Sequence, residues 1–474
     1  MSSSRLIVTV LVFIAWALWG LASVILLTLA NANPLFITVY VCYLIFGAAL
    51  LGACRKDLLS PPGLFTLASL FAFGLSLPLI YRGNRSIETS DYTSFFVTDE
   101  SLFKVLVIVC VAQAAFVLGY YLNILRFVPV KRMLSGAAAT RRVSVANYLL
   151  VAALVIVAGA IRIRLHLGEA GVQPTVGYAG YLQYSLFDGI LLFCAWYLAQ
   201  ALRQSRLYVL LGLSLLVMMA VAQALLGWRG GIAQVGWIML GLFWYQVPIK
   251  GRRVYSLVWL LVLPLVAGSI VEIGNTIRSE RLGGEKVFAA STGELIEKIA
   301  YRSQGTTRLA LVAEKFGSLT LFNNFLIKDI VAEGLTTTTY VDRKFYAVAA
   351  RQSHSVGTSG PGGPYVAMGL FGVMIAYMLL GAFFRCIYGC VVDDDVRSGN
   401  IAATVLYCYL IFLLSSLLSE NFDIAFVKNM IAVSAFIFML RILIYKGMGS
   451  DAGNQHLESP PTSLPPVLRA RIEA

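Results

Sequence analysis

The residues that can do chemistry in this chain are mostly arginines, and they concentrate in one polar stretch, 275–365. That stretch carries Arg278, Arg281, Arg302, Arg308, Arg343, Arg351 and His354, and it ends in Gly357-Thr358-Ser359-Gly360-Pro361-Gly362-Gly363-Pro364. A second cation stands between two glycine-flanked apolar runs, in Gly227-Trp228-Arg229-Gly230-Gly231. Arginine presents a planar, permanently charged fork that fits phosphate oxygens in pairs. Several such forks, without an acidic metal-binding cluster, fit a diphosphate held without metal or other cofactor. When a lipid diphosphate leaves during glycosyl transfer, negative charge grows on its oxygens, and fixed cations stabilise that transition state. The attacking sugar hydroxyl needs a proton acceptor. His354, Glu420 and Asp423 are the candidates that can take a proton near neutral pH.

The elements that position these residues are read from composition. Hydrophobic residues make up 59% and charged residues 13% of the 474, and mean hydropathy is +0.79, which excludes an ordinary soluble domain. A helix needs about 20 apolar residues to cross the hydrocarbon core. About twelve segments qualify on that criterion: 6–30, 35–54, 61–81, 105–127, 145–161, 180–202, 207–226, 231–249, 255–274, 366–390, 401–419 and 425–445. Pro78 is expected to break the third, and the fifth runs into Arg162. The expected fold is an all-α polytopic membrane protein, one domain over 1–446, with the large loop 275–365 between the ninth and tenth helices. The tail 447–474, with Pro460, Pro461, Pro465 and Pro466, reads as disordered.

The net charge of +13 does not point to nucleic acid, because its distribution is topological. Basic residues fall in alternate connections: Arg55/Lys56, Lys131/Arg132/Arg141/Arg142, Arg203/Arg206, Lys250/Arg252/Arg253 and Arg441/Lys446. That alternation is the positive-inside pattern. It predicts both termini in the cytoplasm and the arginine-rich loop outside. The first helix is too long for a cleaved signal and reads as a retained anchor. The seven cysteines lie in or beside helices, so a disulfide framework is not expected.

Other residues admit two readings. In Ile161-Arg162-Ile163-Arg164-Leu165-His166 the alternation fits an extended strand, with the arginines either snorkelling to headgroups or touching a phosphate near the site. Arg229 must stand at or just inside the membrane boundary, where a cation is costly unless it is paired or functional. Leu295, Ile299 and Arg302 share one helical face, and a second short helix capped by Thr306 or Thr307 places Arg308 with Leu311 and Val312. Asp393-Asp394-Asp395 reads as a solvated acidic turn. Asp188, inside the sixth helix, is the residue that favours transport.

Three stretches carry a family resemblance: Leu226-Gly227-Trp228-Arg229-Gly230-Gly231, Tyr301-Arg302-Ser303-Gln304-Gly305, and Gly360-Pro361-Gly362-Gly363-Pro364-Tyr365-Val366-Ala367-Met368-Gly369-Leu370-Phe371-Gly372. Together with the layout, they resemble the bacterial oligosaccharide repeat-unit polymerases, the Wzy-type O-antigen polymerases. The resemblance implies a GT-C-like membrane glycosyltransferase of the inner membrane. It would join glycan repeats carried on undecaprenyl diphosphate in lipopolysaccharide biosynthesis, with inversion, at the periplasmic face. The implied partners are that lipid-linked oligosaccharide, membrane lipids and a polysaccharide chain-length regulator, with no nucleic acid. By position, the grip on the diphosphate falls to Arg229 and Arg302, with Arg278, Arg281, Arg308 and Arg164 in support. The O-antigen ligases share the layout and a loop histidine, so ligation remains an alternative. A lipid-linked oligosaccharide flippase or transporter is the alternative from another class.

Overall fold

The computed structural model describes residues 3–54, 57, 59–82, 86–88, 94–122, 143–164, 178–225, 229–246, 305–315, 319, 321–322, 359–392, 401–419 and 429–438. Among these residues the chain is almost entirely helical. The exception is a short antiparallel hairpin, β1 (Ser86–Glu88) and β2 (Ser94–Phe96), which pairs Ile87 with Phe95. The helices are α1 (Ser3–Leu29), α2 (Pro34–Ala53), α3 (Pro61–Ser69), α4 (Ser76–Arg82), α5 (Asp99–Leu122), α6 (Val145–Arg164) and α7 (Tyr178–Ala201). There follow α8 (Arg206–Leu225), α9 (Arg229–Gln246), α10 (Gly305–Lys315), α11 (Gly362–Val392), α12 (Ile401–Ser419) and α13 (Asn429–Phe438).

Six of these stretches are long and apolar enough to cross a membrane: α2, α3 continued through α4, α5, α6, α8 and α11. Four shorter apolar helices accompany them, Trp16–Leu29, Leu186–Ala201, Ile401–Leu414 and Asn429–Phe438. The apolar segment 255–274 and the tail 447–474 lie outside the described residues. The faces of α1, α6 and α8 that meet no other described helix carry exposed Leu18, Leu21, Ile25, Leu149, Leu154, Ile156, Leu207, Leu210 and Val217. A continuous apolar exterior of that kind suits lipid rather than water.

Small residues set the closest approaches. The most extensive pairing is between α5 and α11, where Gly119 and Gly381 let the backbones touch. A Cβ on Gly119 would stand 1.9 Å from Met378 O, and one on Gly381 2.0 Å from Phe116 O. Between helices in lipid, such glycine contacts supply close van der Waals packing.

The third predicted segment is interrupted, but not where proline chemistry suggested. Pro78 lies in the first turn of α4, where its missing N–H costs little. The irregularity is a π-turn at Leu70–Gly74, with Leu75 N–H donating to Leu70 O at 2.9 Å. The turn offsets the carbonyl ladder and offers acceptors sideways. Gly74 O takes the hydroxyl of Tyr40 at 2.6 Å and the indole of Trp19 at 3.2 Å. Ala72 O takes Thr306 Oγ1 at 3.0 Å and Ser76 Oγ at 2.7 Å. Thr306 thereby ties α10, a helix of the polar stretch, into the bundle, where Leu309, Ala310, Val312 and Ala313 are buried against α5, α11 and α4.

The glycine-rich run leads directly into α11, and the break comes later, at Gly369 (φ 69°, ψ −154°). Only glycine adopts that conformation without strain. The break releases the Phe371 N–H from the helical ladder, and it donates to Leu321 O at 3.0 Å.

Candidate functional site

Of the residues predicted to bind or act, Arg164, Arg229 and Arg308 fall on described helices. His354, Glu420, Asp423, Arg302, Arg278 and Arg281 lie outside the described residues, as do Asp393–Asp395 and the predicted helix through Leu295 and Ile299. Arg229 is the first residue of α9. Arg308 is half-buried on α10, on the helix predicted for it, with Leu311 and Val312 buried nearby. Arg164 is the exposed last residue of α6.

The 161–166 stretch corrects the sequence reading. The chain stays helical through Arg164 rather than turning into a strand. Residues two apart on a helix are separated by about 200°, so Arg162 and Arg164 take opposite faces. Arg164 faces out, whereas Arg162 is only 3% exposed and does not snorkel. Its guanidinium lies over the Phe187 ring of α7, 4.5 Å from the centroid, and Nη1 donates to Gln223 Oε1 of α8 at 3.5 Å. The aromatic face offsets part of the cost of burying the charge.

Gln223 joins this cation to the start of α9. It is fully buried, at 0% exposure. A Cβ built on Gly231 would stand 2.6 Å from Gln223 Cδ and 2.9 Å from Nε2, so the glutamine amide lies against the first turn of α9. Glycine at 231 is a packing requirement: any side chain there displaces Gln223. The ends of α6, α8 and α9 therefore meet at one polar point, two residues along the helix from Arg229.

A second polar layer lies deeper. Asp188 of α7, 1% exposed, accepts from the Tyr409 hydroxyl of α12 at 3.3 Å. Gln234, one turn beyond Gly231 on α9, is buried and also meets Tyr409. A buried acid, two buried amides and a buried guanidinium inside an apolar bundle require specific partners, because each loses its hydration.

The opposite end of α9 carries a different arrangement. Asp57, in the turn between α2 and α3, accepts from Tyr388 of α11 at 2.7 Å and Tyr245 of α9 at 3.0 Å through Oδ2. Its Oδ1 takes the Leu59 N–H at 3.0 Å, and Tyr407 of α12 bonds Leu59 O. Arg203, in the α7–α8 connection, reaches Gln246 at the same end. Of the basic connections singled out in the sequence, the one at 203–206 thus adjoins one end of the bundle, while 55–56 and 250–253 lie outside the described residues. The Arg162–Gln223–Gly231 point is at the other end, about 21 Å along α9 at 1.5 Å per residue.

Sequence reasoning missed Gln223, Gln234 and Asp57. A signal existed for the glutamines: each is an amide inside a long apolar helix, where unpaired polar groups are excluded. Asp57 gave none, because an aspartate beside Arg55 and Lys56 reads as an ordinary solvated turn. Among the described residues no group of three His, Cys, Asp or Glu gathers closely enough to hold a metal. Comparison with protein-family models, with curated proteins and with solved structures returns no match.

Proposed function

We propose that this chain is a membrane glycosyltransferase that polymerises oligosaccharide repeat units carried on undecaprenyl diphosphate. On this reading the bundle is GT-C-like with about twelve spans, and the end bearing Asp57 and Arg203 is cytoplasmic. The reaction then takes place at the Arg229 end, on the periplasmic face of the inner membrane. The observation that carries the reading is the position of Arg229, on the opening residue of an 18-residue helix and followed by two glycines. A cation at the membrane boundary meets a lipid headgroup. Arg302, Arg278, Arg281, Arg308 and Arg164 supply further forks for the departing diphosphate. His354, Glu420 or Asp423 takes the proton from the attacking hydroxyl. Inorganic ions and cofactors have no part in the scheme.

Two observations favour transport instead. Buried Asp188 and the break of α11 at Gly369 are features of helices that carry solutes through a membrane. The deciding experiment is the surface lipopolysaccharide ladder of a strain lacking the gene, complemented with wild type or Arg229→Ala. A polymerase leaves core bearing a single repeat in the deletion strain and in the Arg229→Ala strain, with the variant protein present in the membrane. Core without any repeat points to ligation or translocation, and lipid-linked glycan accumulating outside the membrane then separates ligase from flippase. A normal ladder in the deletion strain means that another polymer is the product or that the family reading is wrong.

A further inference from the structure

We infer that Thr306 is a positioning residue: its hydroxyl moors α10 on the π-turn between α3 and α4, and so holds Arg308 at the Arg229 end of the bundle. What Arg308 grips there, the lipid-linked diphosphate, rests on the polymerase reading. Where α10 is held rests on geometry alone.

α10 comes from the polar stretch 275–365, yet it is sealed inside the bundle. Leu309, Ala310, Val312 and Ala313 are each 0% exposed, and so is Thr306 in the first turn. A hydroxyl buried among apolar side chains needs partners of its own. Thr306 Oγ1 lies 3.0 Å from Ala72 O and also bonds Ser76 Oγ. Each hydroxyl has one proton to give, so both contacts are made at once only when Thr306 donates to Ala72 O and accepts from Ser76. The helical ladder is already opened at this point, where Leu75 N–H donates to Leu70 O. Apolar packing by itself leaves the register of a short helix loosely set, whereas a hydroxyl held by two partners specifies one register.

That register fixes both the level and the rotation of α10. Pro61 follows the Asp57 turn, and Ser76 stands about 20 Å beyond it at 1.5 Å per residue. The start of α9 is about as far from the Asp57 end, so α10 and Arg229 share the opposite end of the bundle. Residues two apart on a helix point about 200° apart. With Thr306 turned to the π-turn, Arg308 is therefore turned away from it, and it is half-buried where Leu309 and Ala310 are sealed. α10 packs most extensively on α5, with α11, α4 and α12 also in contact. Among its described residues, Thr306 is the one whose printed bonds reach a polar group of another helix.

The test compares Thr306→Val, which keeps the shape and removes the hydroxyl, with Thr306→Ser, which keeps the hydroxyl. The first readout needs no glycan. Arg308→Cys is labelled in spheroplasts with a membrane-impermeant maleimide, against the same full-length protein without that cysteine. Thr306→Val is expected to raise the labelling rate about fivefold, and Thr306→Ser less than twofold. A rate that Thr306→Val leaves within twofold, or lowers, overturns the mooring. The second readout is chain extension by the purified full-length protein on the undecaprenyl-diphosphate-linked repeat taken from the deletion strain. Thr306→Val is expected to raise KM for that lipid about fivefold with kcat changed less than twofold, while Thr306→Ser stays within twofold of wild type. In an Arg308→Ala background, Thr306→Val should add less than twofold, because its effect passes through Arg308. A loss confined to kcat, or the same effect with and without Arg308, overturns the positioning role and leaves Thr306 a packing residue. Where Thr306→Val fails to accumulate in the membrane, Ser76→Ala removes one of the two partners and is expected to act in the same direction on both readouts. Faster labelling in a protein that extends no glycan supports the mooring and rejects the polymerase reading.

Discussion

Removing the Asp57 side chain is expected to loosen one whole end of the bundle. The carboxylate accepts from Tyr388 at 2.7 Å, Tyr245 at 3.0 Å and the Leu59 N–H at 3.0 Å, and it stands in the turn whose Leu59 carbonyl holds Tyr407. These residues come from the α2–α3 turn, α9, α11 and α12, so four separated parts of the chain depend on one group. A hydrogen bond to a charged partner contributes about 1.5–3 kcal/mol, which gives about 3–6 kcal/mol for the two tyrosines. Asp57 and Tyr245 are only half-buried, and water replaces part of what is lost, so Asp57→Ala should cost about 3 kcal/mol. Asp57→Asn keeps an acceptor oxygen without the charge and should cost about half as much. The measurement is equilibrium unfolding in mixed micelles, with Tyr388→Phe and the double variant completing a cycle. If Tyr388 acts through Asp57, its own loss of about 1–2 kcal/mol should nearly vanish in the Asp57→Ala background. Strict additivity, or an Asp57→Ala protein within about 0.5 kcal/mol of wild type, refutes the reasoning.

Two further substitutions probe the backbone. Gly381→Ala places a Cβ where Phe116 O lies 2.0 Å away. Since that contact is backbone and cannot rotate aside, α5 and α11 must separate, at a cost of about 1–3 kcal/mol; unfolding midpoints in detergent read it, and a midpoint equal to wild type contradicts the close approach. Gly369→Ala puts a side chain at φ 69°, ψ −154°, a strain of about 1–3 kcal/mol. The same assay should show that loss, together with faster amide exchange at Phe371 as its bond to Leu321 weakens; unchanged exchange would mean the break does not depend on glycine.

The sequence by itself determined the helical membrane class, because runs of about 20 apolar residues have no other stable solvent. It also marked the break between two apolar runs at Arg229, and α9 does begin at that residue. The helix around Arg308 was legible from the spacing of its apolar neighbours. Helical phase at Arg162 was not: an Arg-Ile-Arg triplet satisfies a strand or a helix equally, and only the continuation of α6 through Arg164 shows that one arginine enters the bundle while the other leaves it. The interruption of the third segment was misplaced for a similar reason. Proline is a visible breaker, whereas a π-turn forms where Thr306, far along the chain, can use the carbonyls it displaces. Tertiary structure alone decided that Gln223 and Gly231 share one space and that Asp57 gathers tyrosines from α9 and α11, because contacts between different helices depend on how those helices pack. Local composition says which residues must avoid water. Which polar groups meet inside is settled by the few places where glycine lets two helices touch.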